Sequence, residues 1–101
     1  MAKRKIIWSK LALSDRYSIL DYWKIRNGNK RYSNKLDKAI RNLLQVIASQ
    51  PNAGRILEQS GDRYVIKDAY QIVYSFDDDW LIVLHIWDMR RNPEDFIKRN
   101  E

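Results

Sequence analysis

The sequence predicts an α+β fold, a mostly antiparallel sheet with a helical hairpin packed on one face. Three observations predict it. Apolar residues recur at helical spacing from residue 10 to residue 49, with one break at Asn27-Gly28-Asn29. Three runs rich in β-branched and aromatic residues follow between residues 63 and 88, separated by short polar turns. One short apolar run, Lys5–Trp8, precedes the helices. A β-α-α-β-β-β order packs most economically as two layers.

Each element has its own reason. Lys5–Trp8 reads as a first strand, and Ser9 can cap the helix that follows by accepting a first-turn N–H. Over residues 10–26, Leu13, Tyr17 and Leu20, with Ala12, Ile19 and Trp23 beside them, form one broad apolar stripe. Gly28 suits the left-handed end of that helix. Over residues 30–49, Leu36, Ala39, Ile40, Leu43 and Ile47 recur at three and four residues, and Pro51 stops the helix. Residues 51–62 read as loop. The strands Arg63–Lys67, Tyr70–Phe76 and Trp80–Asp88 come next, joined by Asp68-Ala69 and by Asp77-Asp78-Asp79. Asn92-Pro93 breaks the last strand, and Pro93 suits the first turn of a short helix carrying Phe96 and Ile97.

Length and composition bound the rest. With 101 residues and 45% hydrophobic content, the chain is expected to form one domain over residues 1–101. A domain of this size buries only about two-thirds of its unfolded surface, so its aromatics, four of them Trp, matter for the core. The absence of cysteine excludes disulfides and thiolate metal sites and fits a reducing cytosol. No apolar run approaches the roughly 18–20 residues needed to span a membrane. The opening MAKRKIIWSK is charged with no long apolar stretch behind it, unlike a signal peptide. The net charge of +6 is uneven, +9 over residues 1–50 and −3 over residues 51–101. A basic half of this kind either attracts phosphates or an acidic protein, or is a solvated face.

Strand alternation sorts the side chains into two faces. Tyr70, Ile72, Tyr74 and Phe76 should face the helices, as should Tyr64 and Ile66, and Ile82, Leu84 and Ile86. That leaves Arg63, Lys67, Gln71, Ser75, His85 and Trp87 on an open face, with Arg90 and Arg91 at its rim. Cations hold phosphates and aromatic or guanidinium planes stack on unpaired bases, so this face could receive single-stranded RNA. The plainer alternatives are a half-buried His85 beside Trp87 and a solvated strand for Arg63 and Lys67. Asp77-Asp78-Asp79 reads as a solvated turn rather than a cation site. Asp88 with Arg90 and Arg91 is either a catalytic cluster or a salt-bridged strand exit.

Four segments carry a family resemblance. IIWSKLALSDRYSILDYW is similar to the opening of RelE/ParE toxins, an apolar strand, W-S, then an Ala- and Leu-bearing helix. Gln50-Pro51-Asn52-Ala53-Gly54-Arg55 resembles the family's P-x-x-G-R turn, and Tyr70-Gln71-Ile72-Val73-Tyr74 its Y-R-I-I-Y strand. IVLHIWDMRRNPEDF resembles a branch ending in W-D-x-R-x-N-P. The resemblance covers residues 5–97. It implies the toxin of a bacterial type II toxin–antitoxin pair (a plasmid stabilisation protein), cytoplasmic and neutralised by a cognate antitoxin, with no cofactor.

The resemblance also implies one of two activities. RelE-like members cleave mRNA on the ribosome without a metal, using cations that stabilise the phosphate charge and groups that move protons. ParE-like members act on DNA gyrase. For cleavage the residues that would carry the chemistry are Arg63, Lys67, His85 and Arg90, His85 as a proton-transfer group. Gln71, Trp87 and Arg91, with Lys30, Arg31 and Lys35 of the basic helices, would bind RNA. The chain departs from the nuclease pattern in two places: no tyrosine follows Tyr74, Phe96 standing in the tail, and Gln71 stands where many members have Arg. The basic helical half and the mixed polar face put a ribosome-dependent mRNA endonuclease first. A gyrase inhibitor without nuclease activity and an inactive antitoxin-binding module are the alternatives.

Overall fold

A computed structural model describes residues 3–91 and 93–99, with the side chain of Lys98 left out. The strand break expected at Asn92 lies outside the described residues. The elements run β1 (Lys5–Trp8), α1 (Lys10–Asn27), α2 (Arg31–Ser49), a 3-10 turn (Pro51–Ala53), β2 (Arg55–Ile56), β3 (Arg63–Lys67), β4 (Tyr70–Phe76), β5 (Trp80–Asp88) and α3 (Pro93–Arg99). The sheet order is β1-β5-β4-β3-β2, with β1 parallel to β5 and every other pair antiparallel. The four-strand meander β2-β3-β4-β5 that follows the helical hairpin leaves β5 running parallel to β1.

Local chemistry explains the ends. Ser9 caps α1, its Oγ accepting the Ala12 N–H at 3.0 Å, and the same hydroxyl donates to the Leu84 carbonyl at 2.6 Å. Gly28 closes α1 at φ 71, in the left-handed region that favours glycine. Asp77 accepts the N–H groups of Asp79 and Trp80 at 2.9 and 2.8 Å, so the aspartate run builds a turn. Those two donors hold the Asp77 carboxyl below its ordinary pKa.

The main core lies between sheet and hairpin. Leu36, Ile40, Leu44, Ile47 and Ala48 of α2 and Ala12 of α1 meet Tyr70, Ile72 and Tyr74 of β4 and Leu81, Val83 and Ile86 of β5. The α1 stripe is narrower than expected. Ala12, Ile19 and Trp23 pack inward, whereas Tyr17 is 68% exposed. Arg16 of α1 forks onto Asp37 of α2 at 2.7 and 3.0 Å, and Arg41 adds a third contact at 3.1 Å.

Burial pushes the Asp37 carboxyl up, but the Arg16 hydrogen bond and the two guanidinium charges outweigh it and leave the pKa below 3.8. A carboxyl depressed in the folded state stabilises in full above its unfolded value, and the contribution is lost as pH falls through the folded one. Asp37→Asn should therefore be less stable than the parent at neutral pH. The gap should narrow in urea unfolding as pH is lowered step by step below the ordinary carboxylate range. A gap that persists in acid would mean that Asp37 acts through shape rather than charge.

A second, smaller core fills the other face of the sheet. Val73, Trp87, Leu57 and Phe96 of α3 form it, with Tyr64 and Leu84 packed against them. An edge clamp holds α3 there. Asp15 of α1 reaches past the end of β1, accepts the Ile86 N–H at 2.9 Å and pairs with Arg99 of α3 at 2.6 Å. The face expected to be open is therefore covered over much of its area.

Candidate functional site

The register decides which polar side chains can meet. Arg63 stands opposite Tyr74, Val65 opposite Ile72 and Lys67 opposite Tyr70. Cross-strand neighbours share a face, so Arg63, Val65 and Lys67 lie on the hairpin side, and Tyr64 and Ile66 on the other. The placement expected for β3 is thus reversed. The physical reason is that both faces carry a core: Tyr64 supplies its ring to the second one, and Val65 packs on the first.

The last strand departs from strict alternation as well. Val73 pairs with His85 but Tyr74 pairs with Val83, so Leu84 is a bulged residue. The bulge places Leu81 and Val83 with Ile86 in the main core, and turns Ile82 and Leu84 away from the helices. His85 and Trp87 keep their expected face, with Gln71 opposite Trp87. Neither is open: His85 is 4% exposed and Trp87 also 4%. Phe96 covers both, its ring 5.8 Å from the His85 ring and 5.4 Å from the Trp87 ring.

The expected cationic groove is accordingly divided. Arg63 donates to the carbonyls of Gly54 at 2.8 Å and Asn52 at 3.3 Å, bracing the turn after α2. Beside it the Tyr74 hydroxyl donates to the Pro51 carbonyl at 2.6 Å and accepts the Gly54 N–H at 3.0 Å. Burial pushes the Tyr74 phenol pKa up. Arg90 also stands on the hairpin side. It forks onto Asp88 at 2.9 and 2.7 Å and lies 5.7 Å from the Trp23 ring centroid and 6.0 Å from that of Tyr70. Its hydrogen bond holds the Asp88 carboxyl below its ordinary pKa, and burial raises that of Tyr70. Arg91 lies on the other face, 4.8 Å from the Trp87 ring centroid. So His85, Trp87, Gln71 and Arg91 share one face, while Arg63, Lys67 and Arg90 belong to the opposite one. Among the described residues no group of three His, Asp or Glu is placed to hold a metal.

The exposed chemistry lies on the hairpin. Lys30, Arg31 and Lys35 are solvent-facing at its turn and the start of α2. Tyr17 and Ile25 are 68% and 74% exposed on α1, with Tyr22 beside them. A groove of about 450 Å³ runs between the two helices, lined by Tyr17, Lys24, Lys30 and Asn34 among others. Cations mixed with large apolar groups suit a macromolecular contact. The sequence signal for this surface was partial. Lys30, Arg31 and Lys35 stand out by charge, whereas Tyr17 falls on the apolar stripe of α1 and Ile25 lies outside it. Arg63 and Tyr74 as a turn lock left no sequence signal, since their partners are backbone atoms.

The family model for the ParE toxin of the type II toxin-antitoxin system, parDE, matches residues 6–93. No curated protein sequence matches the chain. Among solved structures, a chain of the chromosomal ParDE toxin–antitoxin system from P. aeruginosa is similar in fold, with a TM-score of 0.71 at 19% identity. That match covers 83% of this chain and 94% of the other.

Proposed function

This chain belongs to the ParE toxin family of type II toxin–antitoxin systems, and from that premise we propose that it arrests growth by binding DNA gyrase, without cleaving RNA. One observation carries the reading. The sheet face on which a nuclease would gather its cations is filled by Phe96, Trp87 and Val73, with His85 buried among them. Arg63, Lys67 and Arg90 stand on the other face, each of the two arginines engaged with its own chain. A transition-state charge is stabilised only by donors already aimed at one point, and here the three cations stand on the opposite face from His85, both arginines tied to their own chain. This order of readings reverses the sequence-based preference for the endonuclease.

The hairpin is the surface for the target. Lys30, Arg31 and Lys35 supply charge, and Tyr17, Tyr22 and Ile25 supply area. Rim cations of this kind speed encounter with an acidic or DNA-bearing partner. The endonuclease reading keeps one point in its favour, the exposed Arg91 guanidinium over the Trp87 ring, a plane on which a base could stack.

The test is expression in bacteria. Induction should stop growth, and co-expression of the cognate antitoxin should restore it. Arrested cells should keep transcripts intact when mapped by primer extension, while a reporter plasmid loses negative supercoiling. Cut transcripts with normal plasmid topology would restore the endonuclease reading. Normal growth at high soluble expression would favour an inactive antitoxin-binding module.

A further inference from the structure

The two helices of the hairpin turn different chemistry to solvent. α1 shows large groups, Tyr17, Tyr22 and Ile25. The exposed positions of α2 instead carry four cations, Arg31, Lys35, Lys38 and Arg41. Among them stand the amides of Asn34, Asn42 and Gln45. Val46 is the large apolar residue exposed on this helix. The single acid of α2, Asp37, does not join the strip. It lies in the seam between the helices, held by Arg16 of α1 at 2.7 Å and by Arg41 at 3.1 Å.

Helical geometry lines the exposed groups up. Arg31, Lys35, Lys38, Asn42 and Gln45 follow one another at steps of three and four residues, which puts them on one face. Leu36, Ile40, Leu44 and Ile47 take the buried face opposite. From Arg31 to Lys38 the helix rises about 10 Å, at roughly 1.5 Å per residue. One strand of a DNA duplex spaces its phosphates about 3.4 Å apart along the axis, so the three cations span about three phosphate intervals. Amides between cations add donors that phosphate and sugar oxygens accept.

Two absences narrow the occupant. A protein interface is depleted in lysine and built on aromatic and apolar anchors, which here belong to α1. A surface for single-stranded nucleic acid carries aromatics on which unpaired bases stack, and α2 exposes none. Its Tyr32 packs inward on Trp23, the ring centroids 4.9 Å apart. A rigid row of cations and amides with neither kind of anchor matches a duplex met through its backbone.

We propose that the solvent face of α2, from Arg31 to Gln45, binds the phosphate backbone of duplex DNA without regard to sequence. The proposal deepens the gyrase reading and rests on it for the choice of DNA. In such a complex α2 would lie along the DNA that the enzyme holds, and Tyr17, Tyr22 and Ile25 of α1 would meet protein.

Fluorescence anisotropy of a short labelled duplex with the purified full chain, and no gyrase present, tests this. Affinity should be the same for unrelated sequences. It should fall about 40-fold between about 50 and about 200 mM salt, the loss expected when three phosphates are neutralised. Lys35→Gln with Lys38→Gln should weaken binding by about 10-fold or more in low salt and lower the salt slope by about two. Lys5→Gln with Arg55→Gln removes the same charge from exposed positions outside the hairpin and should bind close to the parent. A duplex left unbound in low salt would overturn the proposal. So would an equal loss in both double variants, which would reduce the affinity to net charge. Tighter binding of RNA would move the face to RNA, and capture of poly-glutamate with the duplex left free would assign it to an acidic protein; either result sinks the proposal. Duplex binding by a chain that leaves supercoiling unchanged would uphold it and remove the gyrase reading alone. Loss of supercoiling without duplex binding would do the reverse.

Discussion

Gly54→Ala should lower the stability of the chain by about 3 kcal/mol or more, combining overpacking with the loss of a buried hydrogen bond. The conformation of Gly54 is ordinary, with φ −73, so the effect comes from proximity. A Cβ at this position would lie against the Tyr74 hydroxyl and 2.9 Å from both the Tyr64 carbonyl oxygen and Tyr74 Cε1. Tyr74 has 0% exposure and is held by the Pro51 carbonyl, so it has little room to retreat. Moving it would strand the Gly54 N–H and the Pro51 carbonyl in a buried place. Tyr74→Phe isolates the hydrogen-bond part and should cost about 1–3 kcal/mol. The Tm of Gly54→Ala should drop by on the order of 15 °C, given roughly 4–8 °C per kcal/mol for a chain of this size. A Tm close to that of the parent would mean that the turn after α2 gives way easily, and that Tyr74 and Arg63 do not lock it.

Trp87→Ala should cost about 3–5 kcal/mol, the range for removing a large buried aromatic. The indole sits at the centre of the second core, touching Phe96 and lying under the guanidinium groups of Arg91 and Arg99. Its loss also weakens the seat of α3, leaving the Asp15–Arg99 pair to hold the helix. Urea unfolding measures the stability, and exchange rates across α3 report its release. The outcome separates two roles for one residue. A base-stacking platform would lose RNA affinity on truncation and keep its stability within about 0.5 kcal/mol, as solvent-face substitutions do. A packing residue loses stability first.

Where the sequence carried redundant signals, the fold was legible in it. β1, β3, β4 and β5 fall at the bounds read from composition and turns, because Asp68-Ala69 and Asp77-Asp78-Asp79 punctuate them. Asp68 takes φ 54 in the first of these turns, a conformation aspartate tolerates. The α2 stripe was clear because five apolar residues agreed on one period. β2 was not legible, since Arg55–Ile56 is too short to show a period. The bulge at Leu84 left no trace either. Residues 81–84 are all apolar, so a slip of one position changes no visible pattern.

The site was less legible, and for a single reason. Assigning Arg63 and Lys67 to the same face as His85 assumed one buried and one solvated face. Phe96 shows why that failed: it follows β5 closely in the chain, but its seat depends on the pair between Asp15 and Arg99, which are 84 residues apart. Contacts across such separations have no local period to announce them. Charge did announce the basic hairpin, because Lys30, Arg31 and Lys35 need no partner to be recognised.

Binding to gyrase, the mode of toxicity proposed above, can be measured directly. The direct measurement adds the purified chain to DNA gyrase with relaxed plasmid and ATP, and in parallel to translating ribosomes with a defined mRNA. Supercoiling should fall as the toxin approaches and exceeds gyrase concentration, recover on addition of antitoxin, and the mRNA should stay uncut. Cleavage of the mRNA in the decoding site with supercoiling unchanged would contradict the account.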